Sequence, residues 1–240
     1  MSRVQAVLCF ALLLASNSQA DSHNQVFSDF TTPLPLKPQQ TLVLGIVGGW
    51  ERWDNPERIT TRIARMIRDL ELPGVFVETV ENHKIYLADE LIHRAFPDPS
   101  NARLVVYGHS LGGAAAVHLC ERLKTRGLVV KLLVLIDAVG QSRYTISSNV
   151  LAVANLYQHS SYWPIVGAEQ IRAEDPSLTR IRCNSQYRYS YRWWRGKNIQ
   201  RPPHETWLRW NWMGGHLRME YDPEVWDRVR DLIAAELDHR

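Results

Sequence analysis

The sequence predicts an α/β fold in which helices cover both faces of a mostly parallel central sheet. Three observations carry this. From Thr41 onward short apolar runs alternate with amphipathic stretches. The apolar runs are continuous and rich in β-branched residues, as in strands buried on both faces. The 240 residues, 45% hydrophobic and 22% charged, suffice for one sizeable core. The same composition excludes a disordered chain, collagen and a bundle of membrane spans. A formal net charge of +3 gives no reason to expect nucleic acid as a partner, and three Cys exclude a disulfide-stapled small scaffold.

Taken in order, Arg3, the apolar run Ala6 to Ala15 and the small residues of Ser18-Gln19-Ala20 read as a signal peptide over residues 1–20. The expected location is therefore periplasmic or secreted. Residues 21–40, with Pro33, Pro35 and Pro38, form an extended lead-in, and residues 41–240 a single domain. Thr41 to Val47 reads as the first strand. Pro56 opens a helix with Ile59, Ile63, Ile67 and Leu70 at core spacing and Arg58, Arg62, Arg65 and Arg68 facing out. Gly74 to Val80 is the second strand, His83 to Phe96 a helix, Arg103 to Tyr107 the third strand, Ser110 to Arg126 a helix and Val129 to Ile136 the fourth strand. Residues 138–177 read as mixed loops and short helices, Leu178 to Cys183 as a further strand, and Asp222-Pro223 as the cap of a last helix reaching Leu237. No long insertion separates the fourth strand from the last helix, which predicts a small cap. After the leader, Cys120 and Cys183 are the remaining thiols. Cys120 falls in a buried helix, so two separate core residues are expected instead of a bridge.

The chemical signal is Gly108-His109-Ser110-Leu111-Gly112, which stands between a buried strand and a helix that opens Gly113-Ala114-Ala115-Ala116. A serine on so tight a turn is held above the sheet, and small flanking residues permit the turn. This segment resembles the nucleophile elbow of the α/β-hydrolase superfamily. The resemblance implies an α/β-hydrolase fold with Ser110 as nucleophile, and a chain order of serine, acid, histidine. Asp137, closing the run Leu132 to Ile136, fits the acid and resembles the lipase and thioesterase variants in its position. Asp175 is the alternative. His216, after Gly214-Gly215 and before the last helix, fits a base in a mobile loop, with His204 and His159 as rivals. The segment His216 to Trp226, together with Asp54-Asn55-Pro56 and Val77-Glu78-Thr79, is similar to segments of a group of exported bacterial α/β-hydrolase-like proteins.

In this superfamily the residue after the nucleophile supplies one oxyanion donor, here Leu111, and the loop after the first strand the other, here Gly49 or Trp50. Arg52, Trp53 and His109 are the candidate substrate-binding residues. The expected substrate is a small-molecule or lipid-like ester, cleaved through an acyl-enzyme. An amidase or transacylase using the same residues, or a noncatalytic binding module on the same fold, is the alternative. Arg180 to Arg201 holds seven basic residues and alternating Tyr187, Tyr189, Tyr191 and Trp193. That stretch is either Arg–aromatic stacking on a covering element, the simpler reading, or a face for an amphiphilic substrate or peripheral membrane contact. No Cys or His cluster has metal-ligand spacing and no Gly-rich loop follows the first strand as a dinucleotide fingerprint, so neither metal nor cofactor is implied.

Overall fold

The computed structural model describes residues 24–160, 165–190 and 195–238. The leader therefore lies outside the described residues, as do Tyr191 and Trp193. Among the described residues eight strands and six α-helices follow one another as β1 (Thr41–Ile46), α1 (Ile59–Arg68), β2 (Val75–Val80), α2 (Ile85–Ala95), β3 (Leu104–His109), α3 (Leu111–Lys124), β4 (Val130–Ile136), β5 (Arg143–Ile146), β6 (Ala152–Gln158), β7 (Gln170–Ala173), β8 (Arg180–Tyr187), α4 (Trp207–Met213), α5 (Gly215–Glu220) and α6 (Pro223–Asp238). Six strands form one parallel sheet in the order β2-β1-β3-β4-β6-β8, and β5 pairs with β7 in a separate parallel ribbon.

Strand alternation divides the core in two. Leu42, Leu44 and Ile46 of β1 point to α2 and α3, meeting Leu91, Ile92, Val117 and Leu123. Val43, with Val105 and Val134, points to α1 and α6, meeting Ile59, Ile63, Ile67, Val225 and Val229. Helices thus lie on both faces. Cys120 belongs to the first of these layers and Cys183 packs on the second, so the sheet separates them and both are free thiols. The chain runs outward from β1 to β2, crosses back to β3 and then steps the other way. The ends of β1 and β3 therefore flank the point where strand order reverses, which is where parallel sheets leave a crevice.

Several boundaries and faces differ from expectation. The first helix starts at Ile59 because Asn55 to Arg58 form a turn, in which Arg58 N–H donates to the Asn55 carbonyl at 3.2 Å. Arg58 does not face out: it is buried in an ion-pair cluster, while Leu70 lies beyond the helix and is exposed. The described residues of 138–177 hold three strands, of which β6 is an interior strand of the main sheet. Asn155 interrupts its apolar run, yet it is fully buried because Nδ2 donates to the Ala168 carbonyl and to Asn184 Oδ1, each at 2.8 Å. β8 runs on to Tyr187, where the regular alternation stops. Tyr189 is buried with its hydroxyl donating to Asp222 at 2.9 Å, so it is a packing residue and not part of an exposed aromatic face. The lead-in docks on the β2 edge: Glu78 Oε1 accepts from the backbone N–H groups of Thr31 and Thr32, both at 2.7 Å. Among the described residues no helix is long and apolar enough to cross a membrane.

Candidate active site

β3 delivers Ser110 to the crevice. Its backbone has φ 57° and ψ −125°, a conformation that costs about 1–3 kcal/mol for a non-glycine residue and persists only when its surroundings enforce it. They do so here: Ser110 N–H donates to the Ile136 carbonyl at 3.0 Å, and the Ser110 carbonyl accepts from Gly113 N–H at 3.0 Å. The small flanks are required by close approach. A Cβ on Gly108 would lie 2.4 Å from the Gly112 carbonyl oxygen, and one on Gly112 would lie 2.2 Å from that of Ile46.

Asp137 follows β4 directly and is fully buried. Its Oδ1 accepts from Gln158 N–H at 3.1 Å, and its Oδ2 accepts from Gln158 Nε2 at 3.0 Å and pairs with His216 Nδ1 at 2.5 Å. His216 Nε2 stands 3.0 Å from Ser110 Oγ. An ionised carboxylate only accepts, so Nδ1 carries the proton and Nε2 is left to accept from the serine hydroxyl. The imidazole is not on a mobile loop. Gly214, at φ 57°, breaks α4 from α5, and His216 sits in the first turn of α5 at 1% exposure.

A serine on a strained turn after the third strand of this sheet order, with an acid after the fourth and a histidine before the last helix, decides the architecture. The chain has the α/β-hydrolase fold. A thioesterase-domain family model matches residues 70–154, about a third of the chain, which include Ser110 and Asp137 and end before His216. The chain thus resembles the thioesterase and lipase branch of that superfamily. Among solved structures it is similar to the RedJ thioesterase of the prodiginine biosynthetic pathway in Streptomyces coelicolor, with 11% identity, TM-score 0.43, and coverage of 92% of this chain and 98% of that one. It is also similar to a cutinase-like protein from Cryptococcus sp., with 17% identity, TM-score 0.34 and coverage of 45% of this chain. In that case the chain spans 60% of the other protein's length. No curated protein matches.

The remaining candidates separate. His204 Nε2 meets the Tyr221 hydroxyl at 2.9 Å, His159 pairs with Glu169 at the surface, and Asp175 accepts from Ser177 in an exposed turn, so none joins Ser110. Leu111 opens α3, and its N–H belongs to the helix's first turn, which has no carbonyl partner within the helix. Gly49 lies against it: a Cβ there would sit 2.7 Å from Leu111 Cδ1. Trp50, at φ 57°, is half exposed beside it. Arg52 pairs with Asp54 at 2.8 Å, and the Trp53 carbonyl accepts from Thr79, so both hold the turn that follows. His109, expected among the substrate-binding residues, lies behind His216. It is 1% exposed, and its ring stacks on that of His216 with centroids 5.0 Å apart and planes at 17°. Burial, and next the neighbouring His216, pull its pKa down to about 4, so the ring is neutral. A cleft of about 670 Å³, lined in part by Gly140, Arg143 and Gly167, adjoins the acid through Gly167.

Behind Ser110, His216 and Asp137 lies a buried charge cluster that the sequence did not announce. Arg58 Nη1 donates to Glu220 Oε1 at 3.1 Å and to Glu205 Oε1 at 3.3 Å, and Arg209 Nη1 also bonds Glu205, at 2.6 Å to Oε2. Glu51 adjoins it, with Oε1 3.9 Å from Arg58 Nε. Burial, reinforced by Glu220, raises the Glu51 carboxyl to about 7. Burial, the largest single influence, would raise Glu220 too, but Arg58, His109 and Arg209 together outweigh it and hold Glu220 down at about 2. Glu51, His109 and Glu220 bring ligand-type atoms within 4.8 Å of one another. Three carboxylates face two guanidiniums in the cluster, so one proton balances the surplus negative charge. A divalent cation would leave a buried positive excess. Gln158, which steadies the acid, also went unread. Its only sequence signal is a polar residue closing the apolar run of β6.

Proposed function

We propose that the protein is an exported serine hydrolase that cleaves ester-type bonds, carboxylic ester or thioester, through Ser110, His216 and Asp137. The observation that carries the reading is the pair of contacts on one imidazole, 3.0 Å to Ser110 Oγ and 2.5 Å to Asp137 Oδ2. The thioesterase-domain match over residues 70–154 supports the bond class, and the apolar leader supports export.

A neutral hydroxyl is a weak nucleophile. As Ser110 Oγ attacks the acyl carbon, His216 Nε2 takes its proton. Asp137, fixed by Gln158, keeps the other ring nitrogen protonated and stabilises the imidazolium without itself accepting the proton. Negative charge moves to the carbonyl oxygen, where the Leu111 N–H and a second N–H from Gly49 or Trp50 receive it. Collapse expels the alcohol or thiol, which takes the proton from Nε2 and leaves the acyl group on Ser110. Water then repeats the sequence, with His216 as its base, and frees the acid and the serine.

The mature protein should label stoichiometrically with a fluorophosphonate and turn over short activated esters and acyl thioesters. Ser110→Ala should abolish both while the far-UV spectrum is unchanged. Turnover retained in that variant would overturn the proposal.

A further inference from the structure

Resting on the acyl-transfer reading, we propose that Glu51 is a positioning residue, tying the Gly48–Gly49–Trp50 turn to the buried Arg58–Glu220 pair that backs His109 and His216. Glu51 is the residue after this turn and folds back under it: Oε2 accepts the Gly48 N–H at 2.8 Å, and the side chain is 8% exposed. The fit is close, since a Cβ on Gly48 would lie 2.9 Å from the Glu51 carboxyl carbon. The turn it holds is the one whose Gly49 packs on Leu111, the residue that follows the nucleophile. The other face of Glu51 looks onto Arg58, Glu220 and a ring nitrogen of His109.

Two facts make this arrangement more than packing. The His109 ring is buried with both nitrogens unpartnered by any described hydrogen bond, and one of them lies within 4.8 Å of carboxylate oxygens of Glu51 and Glu220. That ring is stacked on His216. One carboxyl group therefore borders both the backbone that is to meet the developing oxyanion and the ring behind the base. A positioned donor acts only where charge develops, so loosening it lowers kcat and spares KM. The same trio invites a divalent cation as an alternative occupant. The charge balance opposes that, because Arg58 already supplies the positive charge between the two carboxylates.

The test compares Glu51→Ala, Glu51→Gln and Glu51→Met with wild type on a short activated ester. Glutamine keeps an oxygen acceptor for Gly48 N–H; methionine fills the volume without one. Glu51→Ala and Glu51→Met should lose about 10²-fold in kcat with KM within about threefold, the scale of a lost oxyanion donor. Glu51→Gln should stay within about threefold in both. If alanine prevents folding, methionine carries the comparison. Equal kcat in the methionine and glutamine variants, whether both high or both low, overturns the proposal. So does stoichiometric uptake of Zn²⁺ by wild type, read by calorimetry, that disappears in both Glu51→Gln and Glu220→Gln. A wild type that neither labels with fluorophosphonate nor turns over esters refutes the acyl-transfer reading, and this proposal falls with it. An active wild type with an unaffected methionine variant refutes the positioning role alone.

Discussion

Gly167 stands against Asp137, the acid of the proposed triad, and Gly167→Ala measures how much the proposed reaction depends on that acid's placement. An added Cβ would lie 1.8 Å from Asp137 Oδ1 and 2.8 Å from its Cγ. Ordinary contact between such atoms is about 3.5 Å, so relief requires a displacement of roughly 1.5 Å. If Asp137 moves, it leaves Gln158 and the 2.5 Å contact with His216 Nδ1. A misplacement of about 1 Å in a reacting constellation costs ~10²-fold, or ~2.7 kcal/mol of transition-state stabilisation. If the glycine segment retreats instead, it loosens the bonds from Gln158 Nε2 to the Ile165 carbonyl, 3.1 Å, and from Ala168 N–H to the Ala138 carbonyl, 2.7 Å. The first bond orients Gln158 on the acid, so kcat falls by this route as well. Initial rates with a short activated ester, read as kcat and KM separately beside a thermal melt, supply the assay. A folded Gly167→Ala variant with kcat within threefold of wild type, under conditions where Ser110→Ala is silent, would refute the assignment of Asp137 as orienter.

Gln158→Leu removes the side-chain donor to Asp137 Oδ2 but leaves the backbone donor, so kcat should fall about 10-fold and stability by about 1–3 kcal/mol, read by urea unfolding. His109 has its pKa pulled from 6.5 to about 4, so between those values the unfolded chain binds more protons and stability rises with pH. Its contribution, on the order of 3 kcal/mol, is present above pH 6.5 and is lost as pH falls through 4. His109→Phe should remove that segment of the stability–pH curve; an unchanged curve counts against a buried neutral imidazole. Cys120 and Cys183 should give the same intact mass with and without reductant. The Cys120 thiol, pushed up to about 12 by burial, should resist iodoacetamide at pH 8 until the protein is unfolded.

The elements that reasoning from residues located are those whose signal is local. β1, β3 and β4 are unbroken apolar runs, and α1 shows its buried stripe as Ile59, Ile63 and Ile67. β6 escaped because Asn155 breaks its run, and its partners Ala168 and Asn184 come from other segments. The sequence points Arg58 to solvent because it is one of four arginines at helical spacing. Its burial becomes favourable only when Glu205 and Glu220, 147 and 162 residues away, fold over it. The position of His216 before the last helix sets it ahead of His204 and His159 in the sequence, but position alone brings none of the three to the serine. What separates them is which one the break at Gly214 swings onto Asp137.

The sequence alone determined where a serine would be forced onto a tight turn, because strand, elbow and helix are written in adjacent residues and the small side chains there leave the backbone one compact course. Only the tertiary structure brings the expected Asp137 and His216 together on that serine, since the Asp137–His216 and Ser110–His216 pairs lie 79 and 106 residues apart. It also decided that five ionisable groups are buried behind them. Hydrogen bonds and ion pairs at such separations have no periodicity to betray them. Their energy depends on exclusion of water, which exists only after the sheet, its helices and the turn of Glu51 have closed together.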